Sequence, residues 1–333
     1  MKKGISAVSL GFFILLLTPL AALGHVKWFT ETKPVKVPIE EILSPLFISV
    51  TIIVALGLAA LPQLLPWIMK WEPLARIDNY LEGFRKYSRK ILKYGTAIAL
   101  IIQVTFGTIF APEITIQSTA ITIAAWVAIG FLLFPHHYAT KAGALILLGL
   151  FMYITPEYGI FHMLDYGFYL AIIFVLLIGN TKWEEWGFPF LYLGTGLSLC
   201  WVAVEKWVFP GMTLDIISGH NVPTFGFSPE VFIVLSAFIE FVVGYLLVVG
   251  VLNRLLAFVL TLIFVLTTTL FGWLELVGHF MIHVILVIFI IEGVSFYKPP
   301  IAIHKTVADR VIFVFLNFIF VLSTFLLIYY RFA

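Results

Sequence analysis

The chain has 333 residues, of which 62% are hydrophobic and 11% charged, and its mean hydropathy is +1.08. A soluble domain carries roughly a quarter charged residues, so this composition excludes an ordinary soluble fold. The net charge of +2 indicates no class of partner, the single Cys200 excludes an intrachain disulfide, and no nucleic-acid signature is present. Apolar stretches of bilayer-crossing length recur throughout, and they predict an all-α polytopic membrane protein in the lipid bilayer.

Residues 1–24 have the pattern of a signal peptide. Lys2 and Lys3 precede an apolar stretch over 8–20, and Ala22 and Gly24 place small residues where a signal peptidase requires them. Cleavage after Gly24 would make His25 the first residue of the mature protein. An uncleaved first transmembrane helix is the alternative interpretation.

Ten transmembrane helices are predicted after the signal peptide. An outside N-terminus then places the C-terminus outside as well, and thirteen lysines and arginines in the predicted inner loops against five outside favour this orientation in the inner membrane. Segment 25–93 would hold an exported stretch, the first span and an inner basic amphipathic helix at 70–93, and 311–333 the last span. The predicted spans are 44–69, 94–111, 118–134, 142–155, 160–179, 189–207, 229–250, 255–271, 274–292 and 311–330.

An internal repeat is suggested by matching glycine-containing pairs. Tyr158-Gly159 and Phe271-Gly272 precede similar spans at an offset of 113, and Gly95-Thr96 matches Gly194-Thr195 at an offset of 99. We therefore predict two four-helix units, 94–180 and 189–293, which an even number of spans would hold in the same orientation. The second unit keeps ionisable residues where the first is mostly apolar.

The strongest candidate site lies in the second unit. Glu275, His279 and His283 follow one another at four-residue spacing, which places them on one face of a helix. Glu240 is predicted near the membrane midplane. Ionisable groups at membrane depth are costly and usually mark a functional site. We predict an outward-facing site in which Glu240, His279 and His283 carry the chemistry.

The second unit also resembles a known family. The residues that carry the resemblance are the stretch Trp201–Trp207, the stretch Glu240–Gly250, Asn253-Arg254 and Gly278-His279. They are similar to the DoxX family of four-helix membrane proteins, with 94–180 as a degenerate copy. The resemblance implies a redox-associated membrane subunit, since the family includes subunits of quinone-linked thiosulfate oxidoreductases. A thiol redox role does not fit a chain without paired cysteines.

Several chemistries remain open for this site. A quinone pocket needs apolar walls with a few polar anchors, and the predicted contacts are Trp201, Glu205, Trp207 and Glu275. A copper or zinc site would use imidazole and carboxylate ligands, here His25, Glu240, Glu275, His279 and His283. The same residues would suit a metal-ion or proton transport protein. A Glu240–Lys206 pair or a His–Glu hydrogen bond would instead lock the bundle, as expected of a structural membrane partner of a periplasmic enzyme. For the redox function we expect a periplasmic redox protein as partner.

Overall fold

The computed structural model describes residues 26–68, 72–293 and 306–332. The predicted signal peptide and His25 lie outside the described residues. The elements of the first half are α1 (Ile39–Ile42), α2 (Pro45–Ile68), α3 (Glu72–Glu82), α4 (Ser88–Thr105), β1 (Thr108–Ile109), β2 (Ala111–Thr115), α5 (Thr119–Leu133), α6 (His137–Tyr158), α7 (Ile160–Met163) and α8 (Phe168–Ile178). Those of the second half are α9 (Gly187–Val208), α10 (Pro210–Gly219), α11 (Pro229–Val249), α12 (Asn253–Phe271), α13 (Trp273–Glu292) and α14 (Val307–Phe332). Single 3-10 turns cover Val26–Trp28, Arg85–Tyr87, Leu164–Tyr166 and Glu184–Trp186.

The prediction of a helical polytopic membrane protein is confirmed. Within the described residues, seven helices are long and apolar enough to cross a membrane, and a bent pair would make eight. Nine of the ten predicted spans overlap a single helix, and the tenth overlaps the bent pair. Two of these helices fall short of that requirement: α4 carries Arg89, Lys90 and Lys93 near its start, and the 15 residues of α5 extend only about 22 Å, less than a bilayer core.

The predicted single span at 160–179 is broken. Residues Ile160–Tyr166 and Phe168–Ile178 meet at an angle of 64°. Ser198 of α9 substitutes for helical hydrogen bonds at the break, because its Oγ accepts from the Phe168 amide and donates to the Leu164 carbonyl, both at 3.1 Å. The bend places Asp165 and Tyr166, whose side chains are both buried, in a separate turn.

The predicted span at 94–111 ends early in a hairpin, which is the exception to the all-α prediction. Gly107 and Phe110 adopt positive φ values of 73° and 65°. The Gln103 side chain holds the turn, since its Oε1 accepts from the Phe110 amide at 2.9 Å. Strands β1 and β2 then pair antiparallel and carry Glu113 over the end of the helix bundle.

Helix α9 is central in the bundle. It packs against α8, α11 and α14, while α13 packs against α4 and α12. Helices α9 and α11 approach closely because Gly196 and Gly244 face each other, and a Cβ on Gly196 would stand 2.5 Å from the Gly244 carbonyl. The division of these helices into two repeated units stays a prediction. The stretch 208–228, predicted as a loop, contains helix α10.

Candidate functional site

A buried ammonium group lies between two carboxylates at one end of the bundle. Lys27 Nζ is 2.5 Å from Asp165 Oδ2 and 2.5 Å from Glu205 Oε2. The Asp165 side chain is fully buried, and that of Glu205 is 2% exposed. Tyr329 of α14 donates a hydrogen bond of 2.9 Å to the same Glu205 oxygen. Four separate parts of the chain therefore meet at one ion-paired group.

A second set of contacts begins at the neighbouring residue. Trp28 Nε1 donates to the Tyr166 hydroxyl at 3.0 Å, and that hydroxyl donates to Glu113 Oε1 at 2.5 Å. His162 Nε2 lies 2.7 Å from the same Glu113 oxygen. Burial on its own would raise the pKa of Glu113, but the hydrogen bond from His162, the charge of His162 and the Tyr166 hydroxyl together lower it. Glu113 is therefore held as a carboxylate.

Lys206 and Glu240 form a third ion pair. Lys206 Nζ is 2.6 Å from Glu240 Oε2, with the lysine side chain 1% exposed. The pair connects α9 to α11 near the close contact of Gly196 and Gly244. Residues 205 and 206 are adjacent on α9, yet their side chains join different groups.

Only two of the three residues of the predicted stripe on α13 contact each other. His279 Nδ1 lies 3.0 Å from Glu275 Oε1, and both side chains are buried. The imidazole also packs against Trp28 and Phe264, with ring centroids 4.7 and 4.6 Å away. His283 is half-buried beside Phe264, outside this pair.

A small cavity lies among these groups. Asp165, Glu240 and His279 line it from three directions, together with the hydroxyl-bearing residues Thr195 and Ser198. Its volume is about 20 Å³, enough for one water molecule. Asp165 Oδ1 and Thr195 Oγ1 are buried atoms that have no hydrogen-bond partner among the described residues. Asp165 and Glu240 belong to a group of seven charged residues that we name the carboxylate cluster: Lys27, Glu113, Asp165, Glu205, Lys206, Glu240 and Glu275.

The comparison with known families matches part of this site. The DoxX family model matches residues 193–273. We name these matched residues the DoxX region. No curated protein and no solved structure gives a match. The DoxX region runs from within α9 to the first residue of α13, so it includes Glu205, Lys206 and Glu240 and stops before Glu275 and His279.

The structure brings some predicted site residues together and separates others. Glu240 and His279 line the same cavity, whereas Glu205 contacts Lys27 and Tyr329. Trp201 and Trp207, both in the DoxX region, donate to the carbonyls of Phe161 and Val234 at 2.8 and 3.4 Å, and neither lines the cavity. In the described part of the chain, no group of three or more His, Cys, Asp or Glu residues is placed to hold a metal ion.

Sequence reasoning missed three of the seven residues of the carboxylate cluster. Lys27 and Glu113 were assigned no role, and Asp165 was not among the predicted site residues. Asp165 sits between Leu164 and Tyr166 in an otherwise apolar span, and this isolated charge was the available signal. Glu113 and Lys27 lie in segments that are polar enough to pass for loops, so the sequence alone gave no reason to place them inside the bundle.

Proposed function

We propose that the protein is a DoxX-type integral membrane subunit that binds and exchanges protons at the carboxylate cluster, in support of a redox reaction carried out with a partner. The DoxX region and the apolar helices support the membrane assignment. The redox part rests on the resemblance to the DoxX family, and the proton-binding part rests on the charges of the cluster.

An excess of carboxylates is the observation that carries this proposal. The cluster contains five carboxylates and two lysines, which leaves three negative charges in excess when all five are ionised. Protonating the two imidazoles that contact these carboxylates, His162 and His279, would still leave one. Unpaired buried charge is expensive at low dielectric, and such groups neutralise by binding protons. At least one carboxyl group of the cluster should therefore be protonated at neutral pH.

The size of the cavity decides which ligands suit it. A volume of about 20 Å³ suits a single water molecule. The buried Asp165 Oδ1 and Thr195 Oγ1 suit a water molecule, which can donate to the first and exchange hydrogen bonds with the second. Quinone and metal binding stay predictions of the sequence.

Infrared difference spectroscopy tests proton binding directly. The protein in lipid nanodiscs should show the carbonyl band of a protonated carboxylic acid at neutral pH, and the band should shift on exchange into deuterium oxide. One or more of Asp165→Asn, Glu240→Gln and Glu275→Gln should remove it. The control Glu184→Gln, at the far end of the bundle, should leave it unchanged. A spectrum without such a band at neutral pH would refute the proposal.

A structural role in supporting a periplasmic enzyme is the second candidate, and the 2.6 Å Lys206–Glu240 pair favours it. Breaking a buried pair costs about 3–5 kcal/mol, whereas replacing both partners by apolar residues is often neutral. Glu240→Leu should therefore destabilise the protein, and Lys206→Met/Glu240→Leu should recover the stability. Recovered stability with an unchanged protonated-carboxyl band would assign Glu240 to structure alone.

A further inference from the structure

The segment Lys27–Thr30, which we name the strap, contacts the bundle through four successive side chains. Lys27 contacts Asp165 and Glu205, as described above. The ring of Phe29 stacks on that of Phe271 at 4.5 Å, and Thr30 Oγ1 donates to Asp215 Oδ2 at 2.6 Å. Because each contact is made by a side chain, the strap is bound much as a separate peptide ligand would be.

Trp28 fixes the depth at which the strap lies. Its ring contacts Gly278 so closely that a Cβ at that position would collide with it. It also packs against His279 and donates to Tyr166. The absence of a side chain at Gly278 therefore admits Trp28, and Trp28 places the preceding Lys27 against the buried carboxylates.

The acceptors around Lys27 are not supplied by the strap. Asp165 belongs to the turn after α7, Glu205 to α9 and Tyr329 to α14. The turn and α14 each pack against α9, so the acceptors are also held by contacts other than those with Lys27. Asp165 also has a second buried oxygen, Oδ1, with no hydrogen-bond partner among the described residues. The site thus has more acceptor capacity than Lys27 uses.

We propose that Asp165 and Glu205, assisted by Tyr329, form a binding site for a primary ammonium cation, and that Lys27 is a tethered ligand that fills it. Three N–H donors of an ammonium group match carboxylate acceptors supplied from different directions. Burial on its own would lower the pKa of Lys27, but the two carboxylates outweigh it and raise the pKa above its ordinary value. The site therefore selects the charged form of an amine.

The ammonium site adjoins the cavity, because Asp165 belongs to both. The lining residue Asp165 contributes one oxygen to Lys27, while its other oxygen is the unpartnered Oδ1. Withdrawal of the strap would expose two carboxylates to any amine or cation at that face. This inference rests on the same carboxylates as the proposed function, although it concerns a different ligand.

Chemical rescue tests the proposal. Lys27→Ala removes the atoms that n-propylammonium contains, namely three carbons and the nitrogen. In the purified full-length variant, n-propylammonium chloride should raise the unfolding midpoint saturably, by roughly 2–4 °C. Sodium chloride and tetramethylammonium chloride at equal ionic strength should not, because neither offers N–H donors. Wild type should show no such shift.

Matched variants separate this site from general salt effects. Lys36→Ala removes an exposed lysine whose Nζ donates to the Tyr330 carbonyl, and this variant should not respond to the amine. Lys27→Ala/Asp165→Asn should lose the response, since half of the site is gone. Gly278→Ala should displace Trp28 and make the strap easier to cleave by a protease, without removing a charge.

The outcomes are distinct for each idea. If Lys27→Ala does not accumulate, growth and solubilisation with n-propylammonium should restore folded protein. Failure of the amine to restore folded protein, or an amine response equal to that of sodium, overturns the ammonium site. The protonated-carboxyl band of the wild type would survive that result, so the proposed function would stand. If the wild type shows no such band but the amine still stabilises Lys27→Ala, the proposed function is refuted and the ammonium site stands.

Discussion

Cationic side chains have different partners at the two ends of the helix bundle. At the end that holds Lys27, cations contact buried carboxylates. At the opposite end, which we name the Arg89 end, cations contact backbone carbonyls near the C-termini of helices. Lys93 donates to the Phe134 carbonyl after α5, and Arg89 donates to the Val175 carbonyl in α8. Arg254 donates to the carbonyls of Ile290 and Ile291 in α13. Two carboxylate partners there, Asp78 and Glu184, are 46% and 41% exposed, whereas a third carboxylate, Glu292, is buried and interacts with the charges of Arg89 and Arg254.

This difference distinguishes cations that cap helix ends from buried acids that bind a ligand. A cation at a helix C-terminus satisfies carbonyls that have no partner within the helix and interacts favourably with the helix dipole. The Arg89 end is therefore explained by helix capping and by the inner-face location predicted for its basic residues. The buried acids near Lys27 gain no such backbone role from their position. The free-energy cost of burying these acids has to be offset by a ligand that they bind.

The largest contrast should come from removing two negative charges at each end. Asp165→Asn/Glu205→Gln leaves Lys27 buried without a counter-charge, and breaking a buried pair in this way costs about 3–5 kcal/mol. Asp78→Asn/Glu184→Gln changes exposed pairs, which contribute about 0–1 kcal/mol each. Denaturation of both variants in the same detergent measures the difference. Equal losses at the two ends would remove the distinction drawn here.

A smaller contrast is expected from two buried tyrosines. Tyr329 donates a 2.9 Å hydrogen bond to Glu205, and a bond to a charged group contributes about 1.5–3 kcal/mol. Tyr192 makes a 3.5 Å contact with the Phe289 carbonyl and stacks on the Phe289 ring, which Phe would retain. Tyr329→Phe should therefore lower the free energy of unfolding by more than Tyr192→Phe, whose effect should stay below about 1 kcal/mol. The reverse order would show that Tyr329 does not stabilise the Glu205 carboxylate.

Much of the fold could be predicted because hydropathy reports membrane spans directly. The first span lies within a residue of α2, and α6 extends the predicted 142–155 at both ends, since a span needs about 20 residues. The break at Gly167 could not be predicted, because it depends on Ser198, 30 residues away in sequence. The hairpin after α4 depends likewise on a side chain, Gln103, that reads as an ordinary helical residue.

The parts of the candidate site that were predicted lie within membrane-spanning helices. Helical spacing brought out Glu275 and His279, which do lie together. The Lys206–Glu240 pair was proposed as a helix lock and is present. Lys27 and Glu113 belong to short segments that return over the end of the bundle, and no local pattern marks such a return. Partners separated by more than 130 residues, such as Lys27 and Asp165, become visible only in three dimensions.

The smallest effect should be a pH dependence confined to the Lys27 end. His162 and Tyr166 lower the pKa of Glu113, so its folded pKa lies below its unfolded value of about 4.3. The stabilisation is then present above that unfolded pKa and is lost as the pH falls through the folded pKa. The unfolding midpoints of wild type and Glu113→Gln should therefore differ at neutral pH and converge below about pH 4. Because other acids titrate in the same range, the difference between the two proteins is the quantity to follow. A gap that stays constant from neutral pH to pH 3 would mean that Glu113 stabilises the hairpin by packing, and not as a carboxylate.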